Sequence, residues 1–327
     1  MDETSDNGLL FARRLNGDGT GTAITWKDVD RWTSKDGPIW IHLDRTNPNV
    51  KQWLREKSGL TKITVDALLT EESRPRAFRG KRGTIAVLRG IDLNPDAKKG
   101  DMVDLRIWSE GKRVITLRSQ HLQSVRDILA ELGDQGDGPS TISDLFETIV
   151  SRLNERIAPT IEEFEARIDD IELHLDLGEA SALRRKLMDL RSEAVTLRRY
   201  LSPQRVALSE LVASPPDWAD EHWQPRMREY ADTLMRFIEE LDAASERALV
   251  IKDDIANQLA ESTNRTLYAL AVISGVFLPL AFLTGLLGIN IGGIPGVDDQ
   301  RAFWIFCAGL LVTTALEIVI FKKMKWL

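Results

Sequence analysis

The sequence is poor in the residues that most often bind structural metals. It has one cysteine, Cys307, and four histidines among 327 residues. A single cysteine excludes an internal disulfide framework and any Cys-x-x-Cys zinc site. The histidines are scattered, with no pair at the spacing of two ligands on one helix face: His42, His121, His174 and His222. The sequence therefore argues against a tightly coordinated structural zinc site.

Signatures of enzymes and of nucleic-acid binding are missing too. We find no phosphate-cradling glycine loop, no nucleophile–base arrangement and no metal-ligand cluster, so we expect no enzymatic activity and no cofactor. The formal net charge of −7 argues against nucleic acid and favours cationic partners. The segment Met1 to Asp6 has no basic or apolar run, so no secretory signal is expected.

The sequence does have two long apolar segments. Leu267 to Leu287 contains no charged residue and has about the ~20-residue length needed to cross a bilayer. Ala302 to Phe321 is interrupted only by Glu317, and lysines follow at 322, 323 and 325. By the positive-inside rule, these lysines place the tail in the cytoplasm. We therefore expect a multi-pass protein of the bacterial inner (plasma) membrane, in contact with the lipid bilayer and with both termini cytoplasmic.

The rest of the chain is predicted to form two further parts. Residues 1–140 alternate short β-type runs with helical patches, which predicts an α/β cytoplasmic domain. The predicted strands are at residues 9–12, 38–43, 84–88, 105–108 and 114–117. Residues 141–265 carry apolar residues at three- and four-residue steps, which predicts long amphipathic helices forming a stalk region. Residues 266–327 form the transmembrane hairpin with its loop. The predicted fold is thus an α/β domain plus long helices and two C-terminal transmembrane helices.

The last helix of the stalk is expected to continue into the first span. A heptad pattern runs from Met227 to Ile255, and no proline or glycine interrupts the chain between Pro225 and the first span. At ~1.5 Å per residue, stalk and span would form one helix roughly 90–100 Å long. A helix of this length needs partners, and one two-span hairpin has too few helices to enclose a pore. We therefore expect a homo-oligomer, the alternative being a monomeric three-helix bundle.

One face of the first span carries polar, apolar and small residues in a stripe at helical spacing. This stripe comprises Asn264, Leu267, Leu270, Ser274, Leu278, Ala281, Gly285 and Gly288. In a ring of identical helices, Asn264 and Ser274 would form polar rings, and the leucines would form constrictions that gate by dewetting. The alternative is that the stripe packs on a neighbouring helix, which its small residues would also suit.

The external end of this span is suited to a hydrated cation. Its glycines permit unusual backbone angles, and Pro295 stiffens the turn. A ring of Asn290 carbonyl oxygens would hydrogen-bond the waters around a cation without stripping them. Asp298 and Asp299 follow in the loop and would concentrate cations at the mouth, the alternative being a solvated turn.

Two apolar segments also contain polar or ionisable side chains. The role of these side chains has two interpretations in each segment. Glu317 is either part of a proton relay or a structural group that snorkels or pairs with Arg265 or a tail lysine. Trp40, His42 and Asp44 lie in an apolar strand and are either a satisfied core site or metal ligands.

The segment from Asn264 to Asn290 resembles, without a gap, the pore helix and Gly-x-Asn motif of the CorA family of divalent-cation transporters. In CorA proper the middle residue is Met and an aromatic residue usually precedes the glycine. This chain has Leu287-Gly288-Ile289-Asn290 instead. The Ile variant, the extension from Ile291 to Gly296 and the segment Trp40 to Asp44 resemble the ZntB branch, which is associated with zinc.

The resemblance implies a homopentamer with a funnel-shaped cytoplasmic domain, in which the first spans line the pore and the second spans form an outer ring. Gly288, Ile289 and Asn290 would form the selectivity filter. By position, the resemblance also places Asn264, Leu267, Leu270, Leu278 and Ala281 on the conduction path. Ile289 favours Zn2+, with Ni2+, Cd2+ or Co2+, over Mg2+.

Three functions follow from these features. The first is Zn2+ transport, with or without coupling to the proton gradient, which Ile289 and the glycine-rich extension favour. The second is a CorA-type Mg2+ or Co2+ channel driven by membrane potential. The third is a membrane-anchored metal sensor or scaffold that conducts nothing, and the asparagine and glycine positions of the stripe argue against it.

Overall fold

The computed structural model describes residues 7–71, 74–133, 136–174, 180–288, 296 and 299–323. It divides into two compact units, Met1–Lys252 and Asp253–Leu327. We call them the sheet unit and the span unit and describe each by itself. Ile289 and Asn290 of the predicted filter, and Asp298 of the predicted loop, lie outside the described residues.

The sheet unit is built on a mixed seven-stranded sheet. Its strands are β1 (Leu9–Leu15), β2 (Gly21–Ala23), β3 (Ile39–Asp44), β4 (Arg76–Gly80), β5 (Gly83–Ile91), β6 (Met102–Ser109) and β7 (Arg113–Arg118). They lie in the order β2-β1-β3-β7-β6-β5-β4. β3 and β7 pair in parallel, with Ile39 opposite Arg113, and the other neighbours are antiparallel. The long connection between β3 and β7 is the crossover that a parallel pair requires.

One face of the sheet is covered by three short helices, α1 (Trp26–Arg31), α2 (Pro48–Glu56) and α3 (Lys62–Leu69). Alternate residues of β3, Ile39, Ile41 and Leu43, are buried in the core that these helices complete. The intervening residues of β3 point to the other face. The helices start where polar side chains cap them: the side chain of Asn47, for example, accepts a hydrogen bond from the amide of Asn49 at 2.9 Å.

On the other side of the sheet, the nine-residue helix α4 (Gln123–Glu131) packs against α5 (Ile142–Leu173). The long helices α5 and α6 (Ala180–Ala213) pack on the sheet itself. α5 begins at a capping box formed by Thr141 and Asp144. It lies so close to β5 that a Cβ atom on Gly90 would stand 2.7 Å from Leu153. Glycine at this position therefore permits the helix to approach the strand.

Two more helices complete the chain, α7 (Trp223–Gly288) and α8 (Ala302–Lys323). α7 is one uninterrupted helix with Pro279 inside it, as the sequence predicted. In the sheet unit, α7 contacts α5: the Asn154 amide donates to the Tyr230 carbonyl at 3.1 Å. Both α7 and α8 contain stretches long and apolar enough to cross a membrane, which agrees with the two predicted spans.

Candidate ion pathway

The predicted stripe lies on an uncovered face of α7 within the span unit. Its three leucines are largely exposed, Leu267 and Leu270 at 59% and Leu278 at 70%. Asn264, Ser274 and Ala281 are exposed as well. The described part of the chain thus provides no neighbour that covers these six side chains.

The opposite face of the same segment is partly covered. Its half-buried residues are Val272, Gly275, Val276, Pro279, Leu280 and Leu283. Because successive helix residues are turned by about 100°, this face lies on the far side of α7 from the stripe. α8 packs here: a Cβ atom on Gly275 would stand 2.7 Å from the ring of Phe321. The contact between α7 and α8 therefore leaves the stripe free.

The two glycines at the end of the stripe stand in open space. A Cβ atom on Gly285 or Gly288 would meet no described atom within 4 Å. Neither glycine is therefore required by packing against α8. They leave room for a close neighbour or for an ion path, and small residues serve either purpose.

Asp299 has a structural role at the start of α8. Its carboxylate accepts a hydrogen bond from the amide of Arg301 at 2.8 Å, and its carbonyl accepts one from Ala302 at 3.0 Å. This local pattern is an Asx turn leading into the helix. One carboxylate oxygen thus serves the turn, and this local role is compatible with an attraction for cations at the same position.

Glu317 is half-buried on α8, and its Oε2 atom has no hydrogen-bond partner among the described atoms. Arg265, one of its two expected partners, instead lies 3.5 Å from Glu261 on α7. Of the tail lysines, Lys322 and Lys323 form no ion pair with Glu317 in the described structure, and the lysine at position 325 lies outside the described residues. An ionisable group in an apolar helix, with no ion pair among the described residues, is a candidate functional group.

The Trp40–His42 segment is a hydrogen-bonded part of the core. The indole of Trp40 donates to the Thr116 hydroxyl at 2.8 Å, and Nδ1 of His42 lies 2.8 Å from the same oxygen. Burial holds the pKa of His42 well below its ordinary value, with a smaller contribution from the charges of Arg118 and His121. His42 is therefore neutral at physiological pH.

Asp44 is not part of this cluster. Its carboxylate accepts hydrogen bonds from the amide and hydroxyl of Thr46 at 2.8 and 2.6 Å, in the turn after β3. Among the described residues, no three His, Cys, Asp or Glu side chains are grouped so that they could hold a metal ion. Of the two interpretations of this segment, the structure favours the core site.

An acidic groove between α5 and α7 in the sheet unit was not predicted from the sequence. Its carboxylates come from segments far apart in sequence, with Glu162 and Glu165 on α5 and Glu229 and Glu240 on α7. The available signal was the local density of glutamates in each helix. That density alone does not reveal that the two clusters face the same groove.

Comparison with known proteins gives the family. A family model described as "CorA-like Mg2+ transporter protein" matches residues 35–323. The divalent cation transporter CmaX of Pseudomonas aeruginosa is 35% identical over 325 residues, covering 98% of each chain. The zinc transport protein ZntB of Yersinia pseudotuberculosis is 34% identical over 318 residues, covering 97% of this chain and 96% of its own.

Solved structures give the same result. The structure of full-length CmaX superposes with a TM-score of 0.86 at 34% identity, covering 99% of this chain and 100% of that one. The CorA magnesium transporter of Methanocaldococcus jannaschii has the same fold, with a TM-score of 0.80 at 15% identity, covering 97% and 98% of the two chains. The predicted fold class and the absence of an enzymatic function are thereby confirmed. The chain belongs to the CorA-like family of divalent-cation transporters.

Proposed function

We propose that this chain carries Zn2+ across the bacterial inner membrane, as a homopentamer whose five α7 helices surround the path. The observation that carries the proposal is the uncovered stripe on α7, opposite the face that packs on α8. This face is not covered by its own chain and carries Asn264 and Ser274 among leucines. Such a face is suited to line the central axis of a ring of identical helices.

In this pentamer, α8 forms the outer ring and the stripe lines the path. Asn264 and Ser274 contribute polar rings, and Leu267, Leu270 and Leu278 form the narrow apolar section, followed by Ala281. Gly288, Ile289 and Asn290 form the entrance filter, where the Asn290 carbonyls hold a hydrated cation through its water shell. Asp298 and Asp299 raise the local cation concentration at the mouth.

Two observations support zinc as the transported ion. The filter residue is Ile289, where the sequence of CorA proper has Met, and the relatives include proteins named for zinc transport. Ni2+, Cd2+ and Co2+ are further candidate substrates. Glu317, half-buried without a described partner, is the group we assign to coupling with the proton gradient.

A Mg2+ or Co2+ channel driven by membrane potential is the second candidate function. It is favoured by the description of the matching family model, which names Mg2+. The topology is the same in both cases. Lys322 and Lys323 at the end of α8 support a cytoplasmic location for that end, and we assign both termini to the same side. Residues 1–140 and 141–265 then form the cytoplasmic domain and stalk, and residues 266–327 form the membrane hairpin.

The experiment is metal flux into proteoliposomes that contain a Zn2+-sensitive dye, with and without an imposed pH gradient. We expect Zn2+ entry that rises when protons are driven inward. Mg2+ entry driven by voltage alone would favour the second candidate. Absence of flux for both ions would contradict transport and favour a non-conducting metal sensor.

A further inference from the structure

A groove of about 490 Å³ lies between α5 and α7 in the sheet unit. Its floor is apolar, because Ile161 and Phe237 line it and both are buried. Its rim carries Glu155, Glu162, Glu165, Glu229 and Glu240. Among the lining residues of the described structure, Arg236 alone is basic. The groove is therefore acidic at its edges and apolar at its base.

Most of this negative charge is not neutralised within the chain. Glu155 pairs with Arg152, with 2.5 Å between Oε2 and Nη1. In the described part of the chain, the other four carboxylates have no cation within ion-pair distance. Burial and the charges of Glu165 and Glu162 raise the pKa of Glu240 above its ordinary value. The groove is thus suited to a cationic partner.

A second observation points to a hydrogen-bond donor from outside. Asn154 lines the groove and is only 4% exposed. Its amide group donates to Tyr230, but its Oδ1 atom is buried and has no hydrogen-bond partner among the described atoms. A buried acceptor left unpaired costs roughly 1–3 kcal/mol, so an incoming donor at this position would be favourable.

The same chain carries a surface with the complementary properties. Met188, Val195 and Val206 form an exposed apolar line along α6, at 52%, 60% and 54% exposure. Helical spacing places arginines on both sides of this line. They are Arg184, Arg191 and Arg198 on one side and Arg185 and Arg199 on the other. We call this surface the basic face of α6.

Three of these arginines have no carboxylate partner in the part of the chain that the structure describes: Arg184, Arg185 and Arg191. Arg198 does pair within the chain, with 3.0 Å between its Nε and Oδ1 of Asp242 on α7. The basic face thus combines free guanidinium groups with exposed apolar side chains. This combination matches the carboxylates and apolar floor of the groove.

We propose that the groove between α5 and α7 of one copy receives the basic face of α6 of the next copy. Arginine side chains bind the rim glutamates, in bidentate geometry where the two groups align, and one donates to Oδ1 of Asn154. The apolar line of α6 covers Ile161 and Phe237. This inference rests on the oligomer of the proposed function and names the contact that holds its neighbours together.

The two surfaces are different, and each copy has both. Such a contact is heterologous, and heterologous contacts between identical chains close into rings when the rotation between neighbours permits. A two-fold dimer in which either surface pairs with itself would bring like charges together, which is unfavourable. The charge distribution therefore excludes pairing of like surfaces and is compatible with a ring of groove-to-face contacts.

Zero-length carbodiimide coupling of the full-length chain in detergent tests the contact, because it joins an amine only to a carboxylate that touches it. In an Arg184→Lys, Arg191→Lys variant, we expect covalent dimers and larger species on a denaturing gel. Peptides from these species should link the new amines to Glu162, Glu165, Glu229 or Glu240. Arg55→Lys, on exposed α2, is the matched control and should add no such link.

Charge reversal gives a second test. Glu162→Arg with Glu165→Arg is added to the variant that carries the two lysine substitutions in α6. The amount of covalent species should fall at least about tenfold, because the groove then repels the basic face. In the chain without lysine substitutions, the same groove reversal should shift native mass spectra toward smaller species. Adding Arg184→Glu and Arg191→Glu to that chain should restore the oligomer. Glu239→Arg with Glu246→Arg, exposed on α7 outside the groove, should change neither measurement.

The outcomes separate this contact from the proposed function. An unmodified chain that is monomeric in native mass spectra would contradict both the ring and the contact. The contact would be overturned if the intact oligomer gave no cross-link to the groove glutamates, or if charge reversal in the groove did not change its mass spectrum. The oligomer of the proposed function would not be contradicted by either result. The contact would also be overturned if a metal chelator dissociated the oligomer and the combined charge reversal of groove and basic face failed to restore it. That result would show that the groove holds a cation instead.

Discussion

Arg106 and Asp104 form a buried ion pair within one strand, with 2.7 Å between Nε of the arginine and Oδ2 of the aspartate. They lie two residues apart on β6 and so on the same face of the sheet. The guanidinium of Arg106 also donates to the carbonyl of Leu68 at 2.9 Å and to that of Glu71 at 3.3 Å. The pair therefore joins β6 to the end of α3, where helix carbonyls need donors.

Replacing Asp104 by Asn should strongly destabilise the sheet unit. The substitution leaves the guanidinium of Arg106 buried without its counter-charge, and breaking a buried pair in this way typically costs about 3–5 kcal/mol. Denaturant unfolding in detergent, followed by tryptophan fluorescence, would measure the change. The control is Asp169→Asn, at an exposed position of α5. The ion pair of Asp169 with Arg247 is exposed to solvent and should contribute less than about 1 kcal/mol.

The same pair should make stability depend on pH. Burial opposes ionisation of Asp104, but the hydrogen bond and charge of Arg106 outweigh it and lower the pKa of Asp104 below its ordinary value. A carboxyl with a lowered folded-state pKa stabilises the fold above its unfolded pKa and loses this contribution as pH falls through the folded pKa. We expect part of the acid sensitivity below about pH 4 to disappear in Asp104→Asn. An unchanged pH profile would contradict this assignment.

Asn290→Ala should reduce metal flux to background while leaving the oligomer intact. The substitution removes the side-chain carbonyl oxygens of Asn290, which we propose to surround the hydrated ion. Flux in proteoliposomes and native mass spectrometry would measure the two properties on one preparation. Asn257→Ala removes an exposed asparagine of α7 before the span and should preserve flux. Normal flux through Asn290→Ala would exclude the filter role.

Gly275→Ala should weaken the packing of α7 on α8. The new Cβ atom would stand 2.7 Å from the Phe321 ring, so the ring must shift, and overpacking of this kind typically costs about 1–3 kcal/mol. Thermal stability in detergent would show the effect. Gly309→Ala on α8 is the control, because its Cβ atom meets no described atom within 4 Å.

A second substitution tests the cause of that loss. Adding Phe321→Ala to Gly275→Ala should cost less than the two single substitutions together, because the collision has been removed. Additive effects would show that Gly275 acts through something other than contact with Phe321.

Glu317→Gln should abolish the response of Zn2+ flux to an imposed pH gradient, because the amide cannot exchange a proton with water. The substitution keeps the size and polarity of the side chain, so the helix should remain folded. Asp299→Asn is the matched control, since it removes a carboxylate but keeps an oxygen that can accept the hydrogen bond from the amide of Arg301. A retained pH response in Glu317→Gln would assign a structural role to the carboxyl.

The strands that could be predicted from the sequence have a clear pattern of apolar residues. β3, β5, β6 and β7 were found because their apolar runs are continuous or alternating and are bounded by turn residues. β4 was missed because it is an edge strand in which only Ala77 is buried, so its sequence is polar. β2 was missed because three residues are too few to show a period.

That the stripe residues share one face of α7 was predictable, because spacing along a single helix fixes which residues lie on the same side. The α5–α7 groove was not, because Glu162 and Glu240 meet only after two helices pack. The contact of Arg265 with Glu261, one turn away on the same helix, was not predicted either.

The parallel pairing of β3 with β7 also determines when the molecule can become folded during its synthesis. Ile39 finds its partner only once Arg113 has been made, yet every strand and the helices α1 to α6 precede the first apolar segment. Because domains fold as units in the order of translation, the whole sheet can be complete while the spans are still being made. The membrane-insertion machinery can thus receive these helices from a ribosome that already carries a folded domain.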